Sequence, residues 1–427
     1  MMRLSFAVLL AAALVSPAPA SSPDPKSLEI PAGVMSRARE LVRQLGSEQY
    51  SERERAEQEL AKMGRLARPV LLEAANTDPN QEIRSRCSGL LPKATTLDFQ
   101  ARVDVFLADV EGKYEHDLPG WEQFRAVVRD EWSLFGFEVW SNRSLDKAAR
   151  TVFAEMLSSQ PNRQIMMAAS GSKVALAAIG MERRLELYAQ KFPRRVVRGG
   201  RVVSPVSVIR RDPTVDDIAT LLLVESLAPS RFAPRAASIS NLISVSGFTN
   251  AARDSDEKGL VYRALAAAWI DSRTDPIDMY QTMTIAGDLG LTDQGCRMGI
   301  KLLTMQGAVG SYRGQAANNL ARLGKKDHIP LLDKALSDTA VAYTIRENAA
   351  LGGVNERTTH DVQVRDMAMA VGVVLSEQKL EDYGFVDNFR NSGGMSAATY
   401  TFSRYYIPDA KREEMHKKWK DWRAKNP

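Results

Sequence analysis

The sequence predicts an all-α protein in which antiparallel helix pairs stack as an α-solenoid, interrupted by one β-hairpin. Three observations carry that expectation. First, "ERERAEQELAKMG" at 52–64 aligns without gaps on "YRGQAANNLARLG" at 312–324, so that Arg53, Ala56, Leu60 and Gly64 match Arg313, Ala316, Leu320 and Gly324. The small and apolar residues fall at i, i+4 and i+7 or i+8, one face of an amphipathic helix, and the glycine then supplies a left-handed stop. Second, each segment is followed by an apolar-periodic run opened by a proline, Pro69 or Pro330. Proline is tolerated in a first helical turn, where its missing N–H costs nothing. Third, a turn containing Asp ("NTDPNQ", "LSDTAV") leads in both cases to an Arg-x-x-small segment, "IRSRC" at 83–87 and "IRENA" at 345–349, each expected to start a helix. Arg53 and Arg84 are 31 residues apart, and Arg313 and Arg346 are 33 apart. A two-helix unit with a period of about 30 residues is the mark of a solenoid.

The same template absorbs "THDVQVRDMAMAVG" at 359–372, where His360, Asp361, Arg365 and Asp366 crowd together. Val364-Arg365-x-x-Ala368 repeats the Arg-x-x-small motif. Asp361 stands where a helix N-cap would accept unpaired amides, and Arg365 is placed to meet an Asp or a carbonyl of a neighbouring repeat. His360 has no partner within the motif. A helix start is favoured over a catalytic cluster.

The pattern Asp…Val/Ile-Arg-x-x-Ala…Gly…Pro-x-Leu-x-x-x-Leu, clear over 41–91 and 312–376, resembles HEAT or HEAT-like (phycobilisome-lyase-type) repeats. With the "Lys-Trp-Lys-x-Trp" tail, the chain also resembles exported bacterial HEAT-repeat proteins. The resemblance implies helical stacking and macromolecular binding, and it brings no catalytic residue and no cofactor.

Taken in order, the chain opens with "MMRLSFAVLLAAALVSPAPA". Arg3, an apolar run from Leu4 to Val15 and Ala18-Pro19-Ala20 make a signal peptide cleaved after Ala20. The run is too short for a membrane span, which needs about 20 apolar residues. Export to the periplasm or the medium follows as an expectation. Residues 28–95 are then read as HEAT-like repeats and 96–190 as a central helical region. In that region Trp121, Trp132 and Trp140 are read as core before carbohydrate-gripping surface. Residues 191–212, "KFPRRVVRGGRVVSPVSVIRRD", break the helical pattern. Valines flank Gly199-Gly200, a hairpin signal. Lys191, Arg194, Arg195, Arg198, Arg201, Arg210 and Arg211 form a candidate surface for an anionic partner, against the plainer reading of charges that guard a strand edge. Residues 213–390 resume the helical array, with Thr214 and Asp217 as a capping box. In 391–427 an aromatic loop packs back through Tyr400, Phe402, Tyr405 and Tyr406 before a final helix at about 408–424.

Composition sets the remaining bounds. The chain is 44% hydrophobic and 26% charged, with a net charge of +5. These values exclude wholesale disorder and give no nucleic-acid signal. Cys87 and Cys296 are read as two buried thiols before one disulfide. The four histidines, His116, His328, His360 and His416, show no metal-ligand spacing, and neither a Walker loop nor a hydrolase elbow is present. Glu115-His116-Asp117 is the densest polar triplet and could share one site only in a loop. No cofactor or metal is implied. The expected function is an exported, non-enzymatic scaffold that binds another protein. The alternative is an enzyme or enzyme-associated subunit acting on or binding a cell-envelope polymer through the central aromatic and basic region; a third reading is binding of an anionic envelope polymer through Lys191–Arg211.

Overall fold

Apolar residues at helical spacing build nearly every element. The computed structural model describes residues 22–134, 142–192, 196–198, 201–203, 211–230, 238–351, 354–388 and 402–426. It is mostly helical. The expected signal segment, residues 1–20, lies outside the described residues, as do Trp140 and Tyr400. The chain divides into one unit ending at Leu118 and a second beginning at Pro119.

The first unit contains α1 (Ala32–Gln44), α2 (Tyr50–Met63), α3 (Arg68–Thr77) and α4 (Gln81–Ala108). Ala38, Leu41, Leu45, Leu60, Leu71 and Cys87 meet in one buried cluster. Two of its turns carry the same hydrogen bonds. Ser47 Oγ accepts from the Gln49 amide, and Arg53 Nη1 donates to the carbonyls of Ser47 and Glu48. Ahead of α4, Asp78 Oδ1 accepts from the Asn80 amide, and Arg84 Nη1 donates to the carbonyls of Asp78 and Pro79. The motif arginine therefore clamps the turn ahead of its own helix, satisfying carbonyls that would otherwise need water. Gly64 ends α2 at φ +55°, a conformation costly for other residues, and Pro69 lies in the first turn of α3. The boundary expected at 95/96 falls inside α4.

The second unit runs through α5 (Trp121–Leu134), α6 (Asn142–Met156), α7 (Gln160–Ala169) and α8 (Lys173–Lys191) to strands β1 (Val196–Arg198) and β2 (Arg201–Val203). These strands pair antiparallel, with Arg198 opposite Arg201. Then come α9 (Val215–Leu227), α10 (Ile239–Val245), α11 (Phe248–Arg253), α12 (Glu257–Asp271), α13 (Pro276–Asp288), α14 (Thr292–Leu303) and α15 (Gly310–Leu323). The capping box at Thr214 and Asp217 forms, with both bonds at 3.1 Å. Helices α9 and α12 are buried around most of their circumference and pack on each other, and α12 also packs on α5, α6 and α11. A helix apolar on all sides belongs at the centre of a core. Each fully buried Leu there contributes roughly 1.5–3 kcal/mol. Trp121 joins this core, stacked on Phe124 and tilted against Phe153.

The second copy of the repeat departs from expectation. Pro330 does open a helix, but α16 spans only Ile329–Leu332. "IRENA" is not helical: it lies in β3 (Val341–Leu351), which pairs antiparallel with β4 (Val354–Gln363) from Val341–Gln363 to Leu351–Val354. A second hairpin therefore exists beside the single one expected. The two residues between its strands are Gly352-Gly353, the same signal as Gly199-Gly200, and β4 is rich in β-branched residues. Asp361, expected as an N-cap, sits in β4 and accepts from Thr344 Oγ1 across the strands at 2.7 Å. Helix α17 (Val364–Leu375) begins three residues later and is capped by Gln363 and Asp366. Strands β5 (Val386–Asp387) and β6 (Tyr405–Tyr406) pair before α18 (Asp409–Lys425). Phe402, Tyr405 and Tyr406 are buried, as the aromatic segment suggested.

Gly324 also differs from Gly64. Its φ is −69°, so it is not a left-handed stop. A Cβ there would lie 2.5 Å from the Leu320 carbonyl oxygen and 2.9 Å from Leu375 Cδ1, so close packing against α17 is what requires glycine. Gly324→Ala should therefore destabilise the fold by about 1–3 kcal/mol. Gly89→Ala, where a Cβ would meet nothing within 4 Å, should gain about 0.5–1 kcal/mol. Chemical denaturation of both variants checks the pair.

Candidate functional site

The feature of the second unit best equipped to bind something is a cleft built over a buried ion triad. Gly180 brings α8 onto α9: a Cβ at that position would sit 2.5 Å from Val224 Cγ1. This close approach places Arg184 of α8 beside Glu225, near the end of α9. Arg273, just beyond α12, reaches the same carboxylate. Arg184 Nη1 donates to Glu225 Oε1 at 3.3 Å, and Arg273 Nη1 donates to Oε2 at 3.0 Å. Arg273 Nη2 also donates to the Glu225 carbonyl at 2.7 Å, and its Nε to the Trp269 carbonyl at 3.1 Å. The Ser230 amide donates to Glu225 Oε2 at 3.2 Å, and its hydroxyl donates to Oε1. All three charged residues are at most 4% exposed. Burial alone would raise the Glu225 pKa; Arg273, the Ser230 bonds and Arg184 outweigh it and hold the carboxyl below the usual glutamate value.

Above this triad opens a cleft of about 1250 Å³. One wall is the N-terminal half of α8, with Val174, Ala177, Ala178 and Met181 facing in. These positions fall at i, i+3, i+4 and i+7, a single helical stripe. Val174 is 80% exposed, so the stripe has an uncovered apolar lip. The opposite wall is the start of α13, with Pro276 and Ile277. Asp275 caps that helix, accepting from the amides of Ile277 and Asp278 at 2.9 and 3.4 Å. Asp278 also lines the cleft. Its pKa is raised, chiefly by burial, with Asp275 and Glu225 adding to the rise and Arg273 and Arg184 opposing it. Ser230 and Ser238 border the cleft; the residues between them lie outside the described ones. Among the described residues, no histidine or cysteine lines this cleft.

The polar clusters that stand out in the sequence have structural work. Asp366 is fully buried and accepts from Arg412 Nε at 3.2 Å, while His416 Nε2 lies 2.8 Å from its other oxygen. Arg412 Nη2 donates to the Asp361 carbonyl at 2.6 Å, and Arg365 Nη2 to Glu413 Oε1 at 2.7 Å. The cluster at 359–372 thus straps α18 onto α17. Arg365 meets the terminal helix, where a neighbouring repeat was expected, and His360 stacks on Tyr406 with ring centroids 3.9 Å apart.

In the first unit, the triplet Glu115-His116-Asp117 does lie in a loop, but its members diverge. His116 Nε2 lies 2.9 Å from buried Asp109, and the Asp117 carboxylate is solvent-exposed and pairs with Arg102 at 3.3 Å. Burial would raise the Asp109 pKa, yet bonds from His116, the Lys113 and Tyr114 amides and Ser22 hold it at about 2. The Ser22 hydroxyl bonds the aspartate. A hydrolase triad needs the serine on the histidine, so this arrangement is an anchor.

The basic surface predicted from sequence is only partly placed. Lys191 ends α8 and pairs with Asp212, Arg211 is exposed, and Arg198 and Arg201 are cross-strand neighbours in the β1–β2 backbone. Arg194, Arg195 and Arg210 lie outside the described residues. Cys87 and Cys296 are both buried and free, with thiol pKa values pushed up to about 11, mainly by burial. Among the described residues no group of three or more His, Cys, Asp or Glu side chains could hold a metal ion, and no helix is long and apolar enough to cross a membrane. No protein-family model, curated protein or solved structure matches the chain.

The triad and the cleft carboxylate should respond oppositely to neutralisation. Glu225→Gln leaves two buried guanidinium groups uncompensated and should cost about 3–5 kcal/mol at pH 7. The Glu225 contribution is present at neutral pH and is lost as pH falls below the ordinary glutamate value through its lower folded one. The wild-type minus Glu225→Gln difference should therefore shrink on acidification. Asp278 is raised, so its charge opposes folding at pH 7, and Asp278→Asn should keep or gain stability. Urea midpoints between pH 7 and pH 3 measure both effects.

Proposed function

We propose that this chain is an exported, non-enzymatic binding protein that presents a HEAT-like helical-repeat surface and docks another protein in the cleft between α8 and α13. The observation that carries this reading is the uncovered apolar stripe from Val174 to Met181, lining a cleft of about 1250 Å³. Small-molecule pockets span about 300–1,000 Å³, so the cleft suits a macromolecular segment better than a metabolite. Arg184 and Arg273 at the cleft are both engaged with Glu225, and among the described residues the side chains lining it do not form a nucleophile–base–orienter arrangement. The solenoid part of the reading rests on the duplicated turn bonds of Arg53 and Arg84. Export rests on the sequence pattern of residues 1–20, and the hairpin at 191–212 is an insertion in the helical array.

The envelope-polymer alternative has less behind it. Trp121 is core, and Lys191 is paired with an acid.

Affinity capture from the native envelope fraction tests the reading, using residues 21–427 as bait. Three baits are compared: the unaltered sequence, Val174→Asp, and the quadruple change of Arg194, Arg195, Arg198 and Arg201 to Ser. One protein partner should be retained by the unaltered and quadruple baits and fall at least about tenfold with Val174→Asp. A tenfold change corresponds to about 1.4 kcal/mol, less than desolvating a new carboxylate on an apolar contact costs. Because Val174 is 80% exposed, its substitution leaves the core intact. A partner lost only with the quadruple variant, or retention on polymer with no protein, would overturn the proposal.

A further inference from the structure

We propose that α18 is a detachable strap: it opens from α17 as one unit while the rest of the second unit stays folded, and the buried carboxylate of Asp366 governs its release. The cleft lining contains no residue of α17 or α18, so this inference stands apart from the docking site.

The argument starts from the side chains that α18 turns inward. Of its 17 residues only Arg412, His416 and Trp419 are buried. They fall at i, i+4 and i+7, a single helical stripe. A docked helix ordinarily fills such a stripe with apolar residues. Here two of the three groups are basic, and only the indole is apolar. Lys411, Lys417, Lys418, Lys420 and Lys425 are exposed around them. Apolar burial therefore holds this helix weakly compared with α9 or α12, and the tie falls to charge.

That tie converges on one group. Asp366 is fully buried, accepts from Arg412 Nε at 3.2 Å, and lies 2.8 Å from His416 Nε2. The other attachments are few. Trp419 lies over Gly372, where a Cβ would sit 2.6 Å from the indole Cζ2, and Met415 packs beside Gly384. Tyr383 meets the Trp419 ring edge-on, with centroids 5.6 Å apart. Lys418 Nζ donates to the Asp382 carbonyl at 2.6 Å. Arg365 pairs with Glu413, whose side chain is 78% exposed, and an exposed pair adds little. Removing the Asp366 charge leaves Arg412 buried without a counter-charge in the closed state alone, because in the open state water takes its place. One carboxylate thus sets the balance between the two states.

The surroundings of α18 stay in place when it leaves. The helix is entered through Ile407 and Pro408, directly after β6, and Tyr406 of β6 stacks on His360. The anchored strand therefore precedes the hinge. Helix α17 follows directly from β4 and also packs on α15 and α16. A segment with few buried apolar contacts opens ahead of the core it rests on.

Hydrogen exchange of the chain, residues 21–427, tests this, read by mass spectrometry on peptides from α9, α12 and α18 over a series of low urea concentrations. After correction for intrinsic rates, the α18 amides should exchange at least about 100-fold faster than those of α9 and α12. Their exchange should also depend less steeply on urea, because the opening exposes less surface than global unfolding. Asp366→Asn keeps the size of the side chain and removes its charge; it should speed α18 exchange at least about tenfold. Glu413→Gln removes only the exposed pair and should leave α18 within about twofold of the unaltered chain. Exchange of α18 in step with α9 and α12 would overturn the proposal, as would α18 unmoved by Asp366→Asn. Complete loss of protection in α9 and α12 in the Asp366→Asn chain would also overturn it, because the carboxylate would then hold the whole unit and not the strap.

Discussion

The buried carboxylate of Glu225 is the constraint around which the second unit is arranged. An isolated charge in a dry core would be prohibitively costly, so its burial demands compensation from two guanidinium groups. Arg184 comes from α8 and Arg273 from the turn after α12, so one carboxylate fixes three segments far apart in the chain. The geometry has a consequence for the surface. Holding α8 at Arg184, and pressing it onto α9 at Gly180, leaves the N-terminal half of α8 standing clear of α13. The cleft is the space between them.

This arrangement accounts for why charged residues and an apolar stripe occur together. The triad is a positioning device in which one carboxylate holds two guanidinium groups, and the proposed recognition surface is the apolar stripe beside it. A similar logic operates at the C-terminus, where Asp366 collects Arg412 and His416 to hold α18 on α17, and in the first unit, where Asp109 collects His116 and Ser22. In each case a carboxylate with almost no exposure joins segments that apolar packing alone would leave free to slide.

Much of the helical architecture was legible in the sequence, because helix periodicity and caps are local. Gly64, Pro69 and the Thr214–Asp217 box act as their chemistry predicts. The hairpin of β3 and β4 was missed because "IRENA" satisfies the Arg-x-x-small motif over one turn, and a single turn cannot separate a helix from a strand. The signal that could have found it was Gly352-Gly353 between Leu351 and Val354. Gly324 matched Gly64 in alignment yet serves close packing, a distinction that depends on Leu375 about fifty residues away. The cleft was not legible at all. Its lining comes from 173–184, 227–230, Ser238 and 272–281, and no local motif links them. What a sequence could offer was the stripe at 174, 177, 178 and 181 in a helix whose other face is core.

The measurement that tests the account most directly is site-specific photo-cross-linking with p-benzoylphenylalanine in the native envelope fraction. One variant carries it at Ala178, in the cleft wall, and the other at Leu72, an exposed position on α3 that is 40% accessible. The account predicts a discrete protein adduct from position 178, competed away by excess unlabelled protein, and none from position 72. An adduct from position 72 with none from position 178 would contradict it, because recognition would then belong to the N-terminal helices and the cleft would be left without a partner.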